Sequence, residues 1–179
     1  MKNDPVGRPE AGEYDPYYET YIGRLEGGSI FSKLAQQSGV VRDQMSGLIA
    51  GGGDYRYAPG KWSVKQILGH LADSERIFGM RATCIARGDL AELPGFEQDD
   101  YVDAGGFDQR TIESLVREFE FLRAANLEMF GGLEPTAWRI VGKANDSPIS
   151  VRAIAWILAG HTDHHLTVLG ERYGAAFSA

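Results

Sequence analysis

Apolar positions along this chain fall into four long stretches with the 3.6-residue period of a helix. In the first, from about Ser29 to Ile49, Ile30, Leu34, Val41, Met45 and Leu48 recur at helical spacing, and Gly51-Gly52-Gly53 ends the run. A shorter helical piece, Tyr17 to Leu25, precedes it. The second stretch opens on a capping box: Pro59-Gly60 makes a turn, Ser63 serves as N-cap, and Gln66 stands where its side chain can reach back. It continues to Arg87, where Gly88 stops it. The third covers Thr111 to Phe130, with Ile112, Leu115, Val116, Phe119 and Leu122 on one face before Gly131-Gly132. The fourth begins at Ser150, another suitable N-cap, and reaches Tyr173 before Gly174.

The connectors are uneven. Asp89 to Gly106 is acidic and contains proline, glycine and aromatic residues, and segments of this length often form lids or rims. Strand-like alternation is confined to Trp138–Val141. No repeat, low-complexity tract or internal domain boundary interrupts the chain. The expected fold class is all-α: a four-helix bundle, either up-and-down or with a crossover, plus short extra helices. Residues 1–16 read as a polar N-terminal extension and residues 17–179 as one helical domain.

Composition narrows the function classes. A chain of 179 residues fits one domain that buries roughly two-thirds of its unfolded surface. With 43% apolar and 24% charged residues it needs no structural metal to fold, so a metal site would serve chemistry. A net charge of −7 lacks the basic footprint of a nucleic-acid binder. No apolar run is long enough to predict a membrane span, and Met1 to Tyr14 is too polar for a signal peptide. The single cysteine, Cys84, excludes an intrachain disulfide and is consistent with the cytoplasm.

The candidate chemistry lies in the histidines, of which there are 4. His161 and His165 are one helical turn apart, separated by roughly 40° around the axis, on the face that carries Ile154, Leu158 and Val168. His70 sits mid-helix in the second stretch and shares its face with Ile67, Ser74 and Ile77. All three rings are therefore expected to point into the bundle. A histidine on an apolar face is commonly a satisfied core residue, but three neutral imidazoles buried together leave six ring nitrogens to be paired. One shared ion would satisfy three of them. His70, His161 and His165 are thus the candidate metal ligands, with coordination positions left open as in catalytic zinc sites. Nitrogen donors suit zinc, nickel, copper or iron.

Neighbouring residues fit that site less well. His164 lies about 100° from His165 and reads as a boundary residue packing beside the third helix or at a subunit contact. Asp163 is expected to face solvent. Asp73, one turn after His70, could accept a hydrogen bond from a ligand but more simply faces water. Cys84 is about 21 Å along the helix from His70 and reads as a small buried residue. Gly51-Gly52-Gly53-Asp54 lacks the ending of a phosphate loop. Glu97, Asp99 and Asp100 could stand at the mouth of the metal site, and Phe96 and Tyr101 could line a pocket there.

These segments together resemble the DinB superfamily of metal-binding four-helix bundles. Trp62 to Arg76, containing Gly69-His70-Leu71-Ala72-Asp73, is similar to that family's second-helix signature. Gly160-His161-Thr162-Asp163-His164-His165-Leu166 and Glu171-Arg172-Tyr173 resemble its last helix, and Gly95 to Tyr101 its acidic loop. The resemblance extends from about Tyr14 to Tyr173 and places the family's metal triad on His70, His161 and His165. It implies a bundle with a long crossover connection, a homodimer, and a divalent ion, zinc or nickel with iron as a further option. Relatives implied by it include transferases and an isomerase that use low-molecular-weight thiols such as bacillithiol or mycothiol. The functional expectation is a metal-dependent transferase acting on a small-molecule substrate with a thiol cofactor. Its competitors are a non-catalytic metal-binding or stress-response module and a metal-dependent hydrolase.

Overall fold

The computed structural model describes residues 6–89 and 91–177. Its helices are α1 (Glu19–Ile22), α2 (Ile30–Ser46), α3 (Val64–Ala86), α4 (Gln98–Ala104), α5 (Ile112–Gly131) and α6 (Val151–Arg172). Each long helix starts on a side-chain cap. Ser29, Thr111 and Ser150 accept backbone N–H groups of their first turns, and Ser63 and Gln66 form the reciprocal capping box.

Helices α2 and α3 each pack against both α5 and α6, so the consecutive helices α2 and α3 stand diagonally across the bundle. The connector after α2 must therefore cross one end of the bundle, which resolves the choice left open by the pattern in favour of a crossover. The connector between α3 and α5 contains α4, a helix that the Pro- and Gly-containing sequence conceals.

The strand expectation at Trp138–Val141 requires correction. Trp138 lies in a 3-10 turn, and the strands are β1 (Val141–Ala144) and β2 (Ser147–Ser150), an antiparallel pair. They are joined by Asn145 and Asp146, both at positive φ (52° and 60°), the conformation required at both centres of a tight type I′ hairpin. Ser150 ends β2 and caps α6, so the hairpin delivers the chain directly into the last helix.

Residues 6–16 lie against this junction. Val6 is buried, Glu13 accepts hydrogen bonds from Ser150 Oγ (2.7 Å) and Arg152 Nε (2.7 Å), and Asp15 accepts one from Ser147 (2.8 Å). The remaining part of the N-terminal extension, Met1 to Pro5, lies outside the described residues. No helix of the described residues is long and apolar enough to cross a membrane.

The core divides into two apolar clusters. One gathers Ile30 and Leu34 of α2, Phe78, Ala82 and Ile85 of α3, Phe130 of α5 and the first half of α6. The other gathers Val41 and Met45, Val64 to Leu71, Leu115 to Phe119, and Leu169. Between them, at mid-height, all four long helices contribute buried polar residues: Gln37, His70 and Glu75, Arg123, and His161, Thr162 and His165. The site of interest lies in this layer.

Candidate metal centre

The three histidines expected to share a face do converge. His70 Nε2 stands 2.9 Å from His161 Nε2, and His165 Nε2 stands 3.1 Å from the same atom. All three side chains are buried and offer their ligand atoms to one point. Hydrogen bonding cannot satisfy this arrangement by itself. A ring nitrogen carries either one proton or one in-plane lone pair, so His161 Nε2, which faces both other nitrogens, cannot make a full hydrogen bond to each. Nitrogens bound at about 2.0–2.1 Å to one ion stand roughly 3 Å apart, which is the separation of His161 Nε2 from each of the other two. The donor set therefore fits a divalent cation.

Electrostatics keeps the ligands in the required protonation state. Burial, reinforced by the charge of His164, lowers the His70 pKa to about 4. Burial likewise holds His161 and His165 well below the usual histidine range, with the neighbouring imidazoles adding to it. The rings are neutral near pH 7 and present lone pairs to a cation.

Local packing fixes their positions. A Cβ at Gly160 would collide with the Tyr21 carbonyl, so the glycine permits α1 to press against α6 one residue before His161. As a result Tyr21 sits edge-on to His161, with ring centroids 5.1 Å apart. On the other side the Trp62 ring lies 4.8 Å from His70 and stacks at 6.3 Å over His165. Neither aromatic neighbour follows from the helical pattern that places the histidines. The 14, 17, 18, 21 spacing of tyrosines was the available signal for the first.

Several expectations around the triad change. His164 is half-buried and packs on Tyr21 of α1 (5.6 Å) and on His165 (5.0 Å), not beside α5. Asp163 is tied to Gln37 (2.8 Å) and Lys33 (2.7 Å), because α2 covers the side of α6 that the helical wheel left to water. Asp73 pairs with Arg76 at 3.4 Å. Cys84 is only half-buried, with Met80 Sδ 3.7 Å away.

Two separate cavities reach the triad. One, about 300 Å³, is lined by His70 and His161 together with Tyr21, Ser74, Phe96 and Glu97. The other, about 260 Å³, is lined by His165, His164, Trp62, Tyr57 and Asp99. They share no lining residue. Of the acidic connector, Glu97 and Asp99 thus reach the cavities, one each, while Asp100 lines neither.

Beside the triad lies a second polar cluster that the sequence did not disclose. Arg123 donates to Glu75 Oε1 (3.0 and 2.7 Å), the Leu34 carbonyl (3.0 Å), Gln37 Oε1 (2.8 Å) and Thr162 Oγ1 (2.9 Å). Asn126 donates to Glu75 Oε2 (2.8 Å) and Gln37 to the Ala159 carbonyl (2.7 Å). The network joins all four long helices directly behind His161.

Comparison with known proteins agrees with this architecture. No curated protein matches the sequence. Among solved structures, the fold is similar to that of YfiT from Bacillus subtilis, described as a probable metal-dependent hydrolase with an unusual four-helix bundle topology. The two align with a TM-score of 0.75 at 16% sequence identity, over 92% of this chain and 94% of that one. The family model of the DinB superfamily matches residues 40–169, which carry all three converging histidines, and the chain belongs to that superfamily.

Proposed function

We propose that this protein is a metal-dependent enzyme that transfers a group between a small electrophilic molecule and a low-molecular-weight thiol. The observation that carries the reading is the pair of separate cavities ending on one triad, since group transfer needs two ligands at one centre. His70, His161 and His165 would hold the ion, zinc or nickel by preference and iron as a further option. A divalent cation there supplies Lewis acidity and lowers the pKa of a thiol or water brought to it.

The chain's own residues supply the rest. The neutral imidazoles bring no countercharge, so a site built from them would keep the ion's net positive charge. Trp62, Tyr21 and Phe96 wall the cavities with apolar surface and exclude bulk water, which strengthens electrostatics inside. Glu97 and Asp99, one at each cavity, are exposed carboxylates that would border the bound ligands. We further propose a cytoplasmic homodimer.

The test is reconstitution with zinc, nickel or iron, followed by incubation with a low-molecular-weight thiol and a halogenated bimane. Thiol-dependent product above the uncatalysed rate, absent in His161→Ala, supports the reading. Its absence with all three ions overturns it. A hydrolase is the second reading, favoured by the description of YfiT as a probable metal-dependent hydrolase. It requires turnover of an ester or amide without any thiol.

A further inference from the structure

Among the described residues three arginines are buried: Arg81, Arg123 and Arg152. Arg123 is paired with Glu75, and Arg152 with Glu13 and Glu10. Arg81, only 2% exposed, has no carboxylate within ion-pair distance among the described residues. Its Nη2 donates to the Pro94 carbonyl (2.6 Å) and the Tyr18 hydroxyl bears on it, but both are neutral, and its Nε has no partner there. A guanidinium keeps its proton at any ordinary pH, and a buried cation with only neutral partners is costly until an anion joins it.

The position of this side chain says where the anion would come from. Arg81 lies eleven residues beyond His70 on α3, about 20° away around the axis, on the face that also carries Ser74 and Phe78. Long side chains on a helix lean toward its N-terminus, which is toward His70. The guanidinium carbon lies 5.2 Å from the Phe78 ring centre and 5.8 Å from that of Phe96. Phe78, Phe96 and Tyr18 all line the cavity that ends on His70 and His161. Arg81 therefore stands directly behind the aromatic wall at the end of the cavity away from the triad. Phe78 is buried, whereas Phe96, on the acidic connector, and Tyr18 are half-buried.

We propose that this cavity is an organic-carboxylate site: Arg81, which does not line the cavity as it stands, grips the ligand's carboxylate once the Phe96 ring turns aside, the aromatic walls hold the ligand's body, and its other end reaches the triad. Its volume of about 300 Å³ suits a small organic acid. The planar fork of the guanidinium matches a carboxylate with two parallel hydrogen bonds. Ser74, Gln98 and Asn145 add neutral polar groups along the walls. Glu97, the one carboxylate lining the cavity, is exposed to solvent and screened, so it opposes an anion only weakly. The inference names the ligand class of the proposed enzyme and rests on that reading only for the ligand's being a substrate. The anion site itself stands on Arg81.

The experiment titrates the full-length protein, metal-stripped and zinc-loaded, with 4-phenylbutyrate and with its uncharged amide, by calorimetry or ligand-observed NMR. The carboxylate should bind metal-stripped protein at least tenfold more tightly than the amide. Arg81→Met should lose at least tenfold for the carboxylate and nothing for the amide, while Arg81→Lys recovers part of the loss. His161→Ala should lose zinc and keep the carboxylate preference, which separates failure of the metal reading from failure of this one. Equal binding of the two probes, no carboxylate binding at millimolar concentration, or wild-type binding in Arg81→Met would overturn the proposal. Should Arg81→Met not fold, the probe pair on the unmodified chain decides alone.

Discussion

Two buried polar clusters lie one residue apart on α6, and they are built in opposite ways. Around Arg123 and Glu75, donors meet acceptors from all four long helices, and both ions of the pair are 1% exposed or less. Around His161, one nitrogen faces two others and can be fully paired with only one of them, and two cavities lead to the cluster. A closed network holds the helices in register, whereas an open cluster of donors is completed by a ligand from outside. The closed one sits behind the open one, so its role is to hold α6, and with it His161 and His165, against α3.

The sharpest way to break this contrast is to remove one member of each cluster. His161→Ala should abolish stoichiometric metal, with affinity falling on the order of 100-fold or more. It should cost little stability in metal-free protein. Elemental analysis after dialysis reads the first and chemical denaturation the second; full occupancy in the variant would remove the triad from consideration. Arg123→Met should show the reverse pattern. It strands the Glu75 carboxylate in the core and should cost roughly 3–5 kcal/mol, with metal affinity falling only as far as α6 shifts. A variant as stable as the parent would mean that the network does not hold the bundle together.

A smaller effect belongs to the N-terminal segment. Hydrogen bonds from Arg152 lower the Glu13 pKa from 4.5 to about 2, against an opposing contribution from burial. A carboxyl whose folded pKa is depressed adds stability above its unfolded value, and that stability is lost as pH falls toward the folded one. Acid unfolding of the parent should therefore show a contribution between about pH 4.5 and 2 that Glu13→Gln lacks. Coincident pH profiles for the two proteins would show that the segment adds nothing to the stability of α6.

How much of this was legible in the sequence follows the range of the interactions. Ser63 and Gln66, or Ser150 before its apolar run, announce helix starts because a cap is satisfied within three residues. His161 and His165 could be placed on one face because 3.6-residue geometry is local. The short α4 and the Asn145-Asp146 hairpin were missed although their cues are local too. Acidic and turn-forming residues signal a loop as readily as they signal those elements.

Four capped helices, their inward faces and the face that His161 and His165 share follow from local sequence alone. That His70 meets them, 91 positions from His161 along the chain, is settled by packing. It also decided that Asp163 is covered by α2, that Arg123 finds Glu75, and that Arg81 finds no acid among the described residues. The reason is physical. Helix periodicity is a property of adjacent turns, but which polar groups are paired and which are left facing a cavity depends on which helix lies alongside. Here the crossover settles that by setting α2 and α3 diagonally, with α6 between them.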